Sequence, residues 1–185
     1  MGTLAFLLVV LTVGIFAVLL ALNALLSIVR VRIPFVTSPR WVRDWLVRNL
    51  TLPDGATVVE LGCGDARLLA ALARQFPRVR CVGYEVAWWP LLLARLRTMR
   101  LRNVAIIRRD FFEVPLDEAD VLYGYLIGSV MPRLENKLQR ELRPGSRMYS
   151  YTFQFPSWPV AGSVIDPHNE RIRLWVYVKG GGYRV

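Results

Sequence analysis

The stretch Thr57-Val58-Val59-Glu60-Leu61-Gly62-Cys63-Gly64-Asp65-Ala66-Arg67 decides how the rest of the chain is read. Its first half is β-branched and apolar, the composition of a strand buried on both faces. Glycines at 62 and 64 then allow a tight turn and a close approach of backbone to ligand. Residues 66–75 (ARLLAALARQ) form a helix by propensity. Strand, glycine loop and helix in that order open an α/β unit, whose ligand lies beyond the carboxyl ends of the strands.

Working outward, the same alternation continues. Strands are predicted at 79–85, 104–108, 121–125 and 147–153, and helices at 88–99 and 131–142, with Arg143-Pro144-Gly145 stopping the last. The tail reads as a hairpin of 163–165 against 172–178, joined through Asp166-Pro167-His168-Asn169. Strands alternating with helices predict an α/β fold with a mostly parallel sheet covered on both faces. The tail supplies an antiparallel hairpin at its edge. Between strand five and the hairpin there is no room for a full helix, so the fold is trimmed.

Toward the N-terminus, Pro53-Asp54-Gly55 is a turn, preceded by a helix over 40–50. Ser38 then Pro39 reads as its start, a hydroxyl N-cap followed by proline at the first helical position. Residues 31–37 form an extended connector carrying Pro34. Residues 4–29 contain no charge, and their polar members are Thr12, Asn23 and Ser27. A helix crossing a hydrocarbon core of roughly 30 Å needs about 20 apolar residues. This run is long enough, and no Lys or Arg precedes it as the n-region of a cleaved leader would require. The expected division is a transmembrane anchor (1–30), a connector with an amphipathic helix (31–50) and a ligand-binding domain (51–185). Arg30, Arg32, Arg40 and Arg43 follow the apolar run, which predicts a single-pass protein with its domain on the cytoplasmic side.

The formal net charge is +10, and only Lys137 and Lys179 among the 24 basic residues are lysines. A charge of that size suits an anionic membrane surface. Nucleic acid is disfavoured, because the basic residues fall singly or in pairs without interleaved aromatics. Cys63 and Cys81 lie in buried elements and lack metal-ligand spacing. His168 is the only histidine and sits in a turn, so neither a hydrolytic triad nor a histidine metal site is expected.

The loop names its own ligand class. A dinucleotide fingerprint wants a third glycine where Arg67 stands. Instead Glu60 precedes the first glycine and Asp65 follows the second. An acidic frame suits a cofactor with an ammonium group and no phosphates, as S-adenosylmethionine is. Glu85, closing the second strand, is placed to accept ribose hydroxyls. Asp110 and Phe111, after the third strand, are placed near an adenine ring. Tyr123, Tyr125, Phe153 and Phe155, at the ends of strands four and five, are candidates to line an acceptor pocket.

Glu60 to Asp65, Gly83-Tyr84-Glu85, Arg109-Asp110-Phe111 and Leu142-Arg143-Pro144-Gly145 resemble the motifs of class I S-adenosylmethionine-dependent methyltransferases with a Rossmann-like sheet. A closer likeness, over about 34–158, is to the membrane-anchored protein-lysine methyltransferases of the adenine nucleotide translocase and of the ATP synthase rotor-ring c protein. It is carried by Pro34-Phe35-Val36-Thr37, residues 60–67, Glu85 with Arg95 downstream, Leu134-Glu135-Asn136-Lys137-Leu138, and Phe153 to Pro156 with Trp158. The resemblance implies cofactor contacts at Thr37, Glu60, Gly62, Cys63, Gly64, Asp65, Glu85, Asp110 and Phe111, and an acceptor pocket including Tyr123, Tyr125 and Phe155. It implies methylation of lysines in a protein in or near the membrane. A lipid or quinone headgroup as acceptor, and a binding module without turnover, are the alternatives. Three departures stand out. Ala66 replaces a usual glycine, Ala87-Trp88 replaces an Asn-Pro, and Tyr123-Gly124-Tyr125-Leu126 lacks the family's proline and glutamate.

Overall fold

The computed structural model describes residues 2–31 and 37–181, with side chains placed for 3–22 and 37–181. Seven strands form one sheet in the order β3-β2-β1-β4-β5-β7-β6. They are β1 (Thr57–Leu61), β2 (Arg80–Tyr84), β3 (Val104–Ile107), β4 (Val121–Gly124), β5 (Arg147–Tyr151), β6 (Gly162–Asp166) and β7 (Asn169–Val178). The first five run parallel, and β7 inserts antiparallel between β5 and β6. The expected doubly covered sheet with a C-terminal hairpin is therefore the fold.

Five α-helices accompany the sheet among the described residues: α1 (Gly2–Val31), α2 (Arg40–Asn49), α3 (Arg67–Gln75), α4 (Trp88–Thr98) and α5 (Met131–Glu141). Strand residues alternate between two cores. Val58, Cys81, Val121 and Tyr123 pack with Val42 and Leu46 of α2 and with Leu68, Leu69 and Leu72 of α3. Val59, Leu61, Val82, Leu122 and Met148 pack with Met131, Leu134 and Leu138 of α5. The strict two-residue period of a strand requires this division.

Helix α5 also fixes loops through buried charge. The Lys137 ammonium donates to the Val114 carbonyl and to Glu141, both at 2.7 Å, and the Glu135 carboxylate accepts the Ser157 N–H at 3.1 Å. The chain between β5 and β6 is thereby held without a helix, as the shortness of that connection requires. Helix α1 contains residues 3–22, an uncharged stretch long and apolar enough to cross a membrane. Its side chains there are exposed throughout. Most of the connector (32–36), with Pro34 to Val36 of the expected motif, lies outside the described residues.

The start of α2 departs from expectation. Pro39 rather than Ser38 is its N-cap residue, and no side chain caps it. The Ser38 hydroxyl instead accepts a 2.8 Å hydrogen bond from the Tyr123 phenol. A long-range partner has taken the oxygen that local rules assign to the helix end.

Gly83 sets the distance between β2 and the loop after β1. A Cβ there would lie 2.7 Å from Cys63 Sγ and from Leu69 Cδ1, closer than packed atoms approach. Gly83→Ala should destabilise the protein by about 1–3 kcal/mol, the usual cost of overpacking. Adding Cys63→Ala should restore part of that loss, because one of the clashing atoms is gone. Thermal unfolding in detergent checks both, and an unchanged midpoint in Gly83→Ala would refute the close approach.

Candidate cofactor and acceptor site

The loop joining β1 to α3 folds over the carboxyl ends of β1 and β2. Gly62, Gly64 and Ala66 all have positive φ, at 67°, 54° and 57°. For an L-residue this conformation costs roughly 1–2 kcal/mol, so glycine is usual. Ala66 therefore lies outside the helix in a left-handed turn, not at its first turn as its sequence suggests. The helix begins at Arg67. The Ala66 N–H still reaches the Cys63 carbonyl at 2.8 Å, closing the turn.

Glu85 holds this loop. One carboxylate oxygen accepts the Gly64 N–H at 3.0 Å and the other accepts the Ala87 N–H at 2.7 Å. A carboxylate has about four acceptor positions, so two remain for hydroxyls of a ligand. The side chain points at the glycine turn, as a ribose-binding role requires.

Asp65 is placed differently from expectation. Its Oδ2 is engaged by Arg67 Nε at 2.7 Å and Arg97 at 2.8 Å, and Arg97 Nε also donates to the Asp65 carbonyl. The carboxylate is buried and matched by two guanidiniums, which makes it a latch between the loop and α4. Arg97 is a residue that sequence reasoning misses. Its only signal there is a cation near the C-terminal end of a helix, which many helices carry.

Glu60 is the unusual acid. It is 5% exposed, and its Oε2 has no hydrogen-bond partner. Burial pushes its pKa well above the usual carboxylate range, and the charges of Asp65 and Glu85 push the same way, against the pull of the Leu69 backbone N–H. A buried oxygen with nothing to accept from is costly in isolation. A bound cation would supply the missing partner, so the site fits an ammonium- or sulfonium-bearing ligand on this observation. Cys63 is buried beside it. Its thiol is raised well above normal, first by desolvation and then by Glu60 and Glu85, so it stays protonated and packs.

After β3, Asp110 accepts the Phe112 N–H at 2.8 Å and shapes the turn. Phe111 is buried in the α5-side core, with its ring 4.6 Å from that of Phe112. The Arg133 guanidinium sits 4.0 Å over the Phe112 ring and pins this loop to α5.

On the acceptor side, the register pairs Glu60 with Tyr123 across β1 and β4, so the acid and the tyrosine are neighbours. Tyr123 is buried, and burial raises its phenol well above normal, with the Ser38 bond opposing and Glu60 adding to the rise. Tyr125 stacks edge-on against Tyr151 at 4.8 Å. Tyr151 in turn donates to Asp166 at 2.6 Å. Phe155 is not in this group. It is 4% exposed and packs with Trp158 and Tyr177 at 5.4 and 4.9 Å, in the core on the other side of the sheet. The strand period does not carry past Thr152, whose φ of 81° turns the chain out of β5. Phe153, 42% exposed and in contact distance of Gly128, is the aromatic this turn leaves open. Thr37 is exposed, one residue before the Ser38–Tyr123 contact.

A parallel core sheet with the antiparallel β7 beside β5, and a glycine loop gripped by a carboxylate at the end of β2, define a class I S-adenosylmethionine-dependent methyltransferase. Residues 60–161 match the family model described as the ANTKMT methyltransferase domain. The chain belongs to that family. Among curated relatives it is 30% identical over 152 residues to the protein-lysine N-methyltransferase of Saccharolobus islandicus, covering 80% of this chain and 94% of the relative. It is 36% identical over 159 residues to the adenine nucleotide translocase lysine N-methyltransferase of Mus musculus, covering 83% of this chain and 66% of that protein. The chain thus spans about two thirds of the length of that mouse relative. A solved RNA methyltransferase from Salinibacter ruber, in complex with S-adenosyl-L-homocysteine, superposes with TM-score 0.71 at 25% identity, covering 80% of this chain and 96% of the other.

Because burial lifts the folded-state pKa of Glu60 above its unfolded value, this residue favours the fold at acid pH. That contribution fades as pH rises through the raised value. Glu60→Gln should therefore unfold no more easily than the parent above neutral pH, yet bind S-adenosylmethionine about ten- to a hundredfold more weakly, the worth of a charge-assisted hydrogen bond. Calorimetry in buffers of different ionisation enthalpy should show proton release on binding in the parent and none in the variant. Equal affinity in both proteins would remove Glu60 from the site.

Proposed function

We propose that this chain methylates lysine side chains of a protein in or near the membrane, with α1 as its anchor and its domain on the cytoplasmic side. The observation that carries the acceptor class is the register pairing of Glu60 with Tyr123, beside the ring contact of Tyr125 with Tyr151. It sets aromatic rings next to the carboxylate expected to face the cationic part of the cofactor. In this reading Glu60, Gly62, Gly64 and Glu85 hold the cofactor, with Asp110 and Phe111 toward its adenine. Asp65 and Cys63 shape the loop. Tyr123, Tyr125 and Phe153 border the acceptor, and Thr37 lies at the rim.

The cofactor, when bound, supplies a methyl on a sulfonium that leaves as a neutral thioether, so no acid is needed for its departure. The chain's work is positioning, holding the acceptor nitrogen about 3–3.5 Å from that carbon and in line. A lysine must first lose a proton to solvent, and a dry aromatic wall favours the neutral amine by disfavouring its charged form. Tyr123 cannot take that proton, because its phenol stays protonated and donates to Ser38. It acts as a fixed wall. Two curated relatives named protein-lysine and adenine nucleotide translocase lysine methyltransferases support the acceptor class. A 2-phytyl-1,4-naphtoquinone methyltransferase, 33% identical over 61% of this chain, keeps a quinone ring in view as the second acceptor.

Membranes incubated with the protein and methyl-labelled S-adenosylmethionine should yield label in protein, recovered as methylated lysine after acid hydrolysis. Label in the organic extract alone would replace the lysine reading with the quinone one. Phe153→Ala should raise the acceptor KM about tenfold, the worth of a lost aromatic contact, and leave cofactor affinity unchanged. A matching loss of cofactor affinity would place Phe153 in the wrong half of the site.

A further inference from the structure

Helix α4 turns an apolar face to solvent. Trp88, Trp89, Leu92, Leu96 and Met99 are exposed by 51, 47, 44, 57 and 73%, while Pro90, Leu91, Ala94 and Thr98 face the domain. The helical period groups the exposed residues into one stripe along α4 and just past its end. Soluble surfaces carry single exposed apolar residues, and a contiguous stripe of this kind marks an interaction site.

The surroundings say what covers it. Residues 86–109 contain no Asp or Glu, and Arg95, Arg100, Arg102, Arg108 and Arg109 within them are all exposed. The Arg108 guanidinium lies 5.1 Å over the Trp88 ring. Arg100 and Arg102, with Arg74, also line a shallow groove beyond the end of α4. Paired tryptophans, aliphatic side chains and a surrounding ring of arginines match the interface of an anionic bilayer. Tryptophan rings sit at headgroup level there, and arginines keep their charge in water while their stems lie on apolar surface. Helix α1 also meets α4, so the apolar helix and the stripe belong to neighbouring elements.

We propose that α4 is a second membrane contact, lying in the headgroup region of an anionic bilayer with Trp88, Trp89, Leu92 and Leu96 dipping below it. It rests on the reading of α1 as an anchor only for bringing the domain to the surface. Two contacts would fix the domain's orientation, where a single tether leaves it free to swing. The carboxyl ends of the strands would then hold a set height above the bilayer. An amphipathic face of this kind buries about 5–10 Å into the headgroup boundary.

The test uses the full chain in phosphatidylcholine vesicles carrying a minority of phosphatidylglycerol. Leu92→Cys receives a nitroxide label, and Glu170→Cys on the far hairpin serves as reference. The native Cys63 and Cys81 are buried and leave the label specific. The expected result is collision of the Leu92→Cys label with oxygen well above, and with an aqueous nickel chelate well below, the values at the reference position. Equal collision rates at the two positions would overturn the proposal. So would label–label broadening at 92, which would mean that a second copy covers the stripe. Alkaline extraction of the same vesicles reports separately on α1. A chain that washes off while its 92 label is still shielded before extraction would sink the anchor reading and leave the α4 contact standing.

Discussion

The Glu85 carboxylate, accepting the N–H groups of Gly64 and Ala87, is the contact on which the site depends. It joins the loop after β1 to the start of the chain that leads into α4. Without it, two backbone donors at the strand ends would lack their partners and the glycine turn would have no fixed height above β2. Gly83 sets that height from below, because only a residue without a Cβ lets Cys63 and Leu69 come so close. The latch of Arg97 on Asp65 then ties the far side of the turn to α4. Together these contacts, from β2 with its carboxyl end and from α4, fix the position of one loop. Preorganisation of this kind lowers the entropy cost of binding.

Much of this is legible in the chain itself. The strands at 57–61, 80–84 and 121–124 are mostly apolar runs, as a parallel sheet covered on both faces requires. Glu60, Gly64 and Glu85 are placed by their position at strand ends, which depends on chain order alone. What stays hidden depends on tertiary partners. Ser38 followed by Pro39 has the local form of a helix start, yet a phenol from β4 takes the hydroxyl. Asp65 reads as a cofactor-facing acid because its partner Arg97 lies beyond α3 and β2 in sequence. Counting along a strand assigns Phe155 to the acceptor side, and the count breaks where Thr152 enters the left-handed region. A β-branched residue there is strained, and nothing in composition announces it.

Ala66 shows the same limit from the other direction. Its sequence context, opening ARLLAALARQ, is strongly helical, and alanine is the best helix former. The structure nonetheless holds it left-handed, because the turn must bring the Cys63 carbonyl to the Ala66 N–H before α3 can start. Its side chain is fully buried, so the methyl group gains packing that offsets part of the backbone strain. Alanine at this position is thus a trade between two terms of similar size, each about 1 kcal/mol.

The three acids of the site divide by environment. Asp65 meets two guanidiniums, Glu85 meets two backbone N–H groups, and Glu60 has one oxygen facing nothing. Asp65 is spent on its two cations, while Glu85 keeps acceptor positions beyond its two backbone bonds. Glu60 is not satisfied, and burial together with its two acidic neighbours keeps its proton on to higher pH than usual. A cation entering beside it reverses that balance, since an opposite charge at close range favours the ionised carboxylate. Ligand entry and proton departure are then one equilibrium, and a neutral ligand of the same shape gains nothing from it. The unsatisfied acid therefore favours a cationic group over a neutral one at that oxygen.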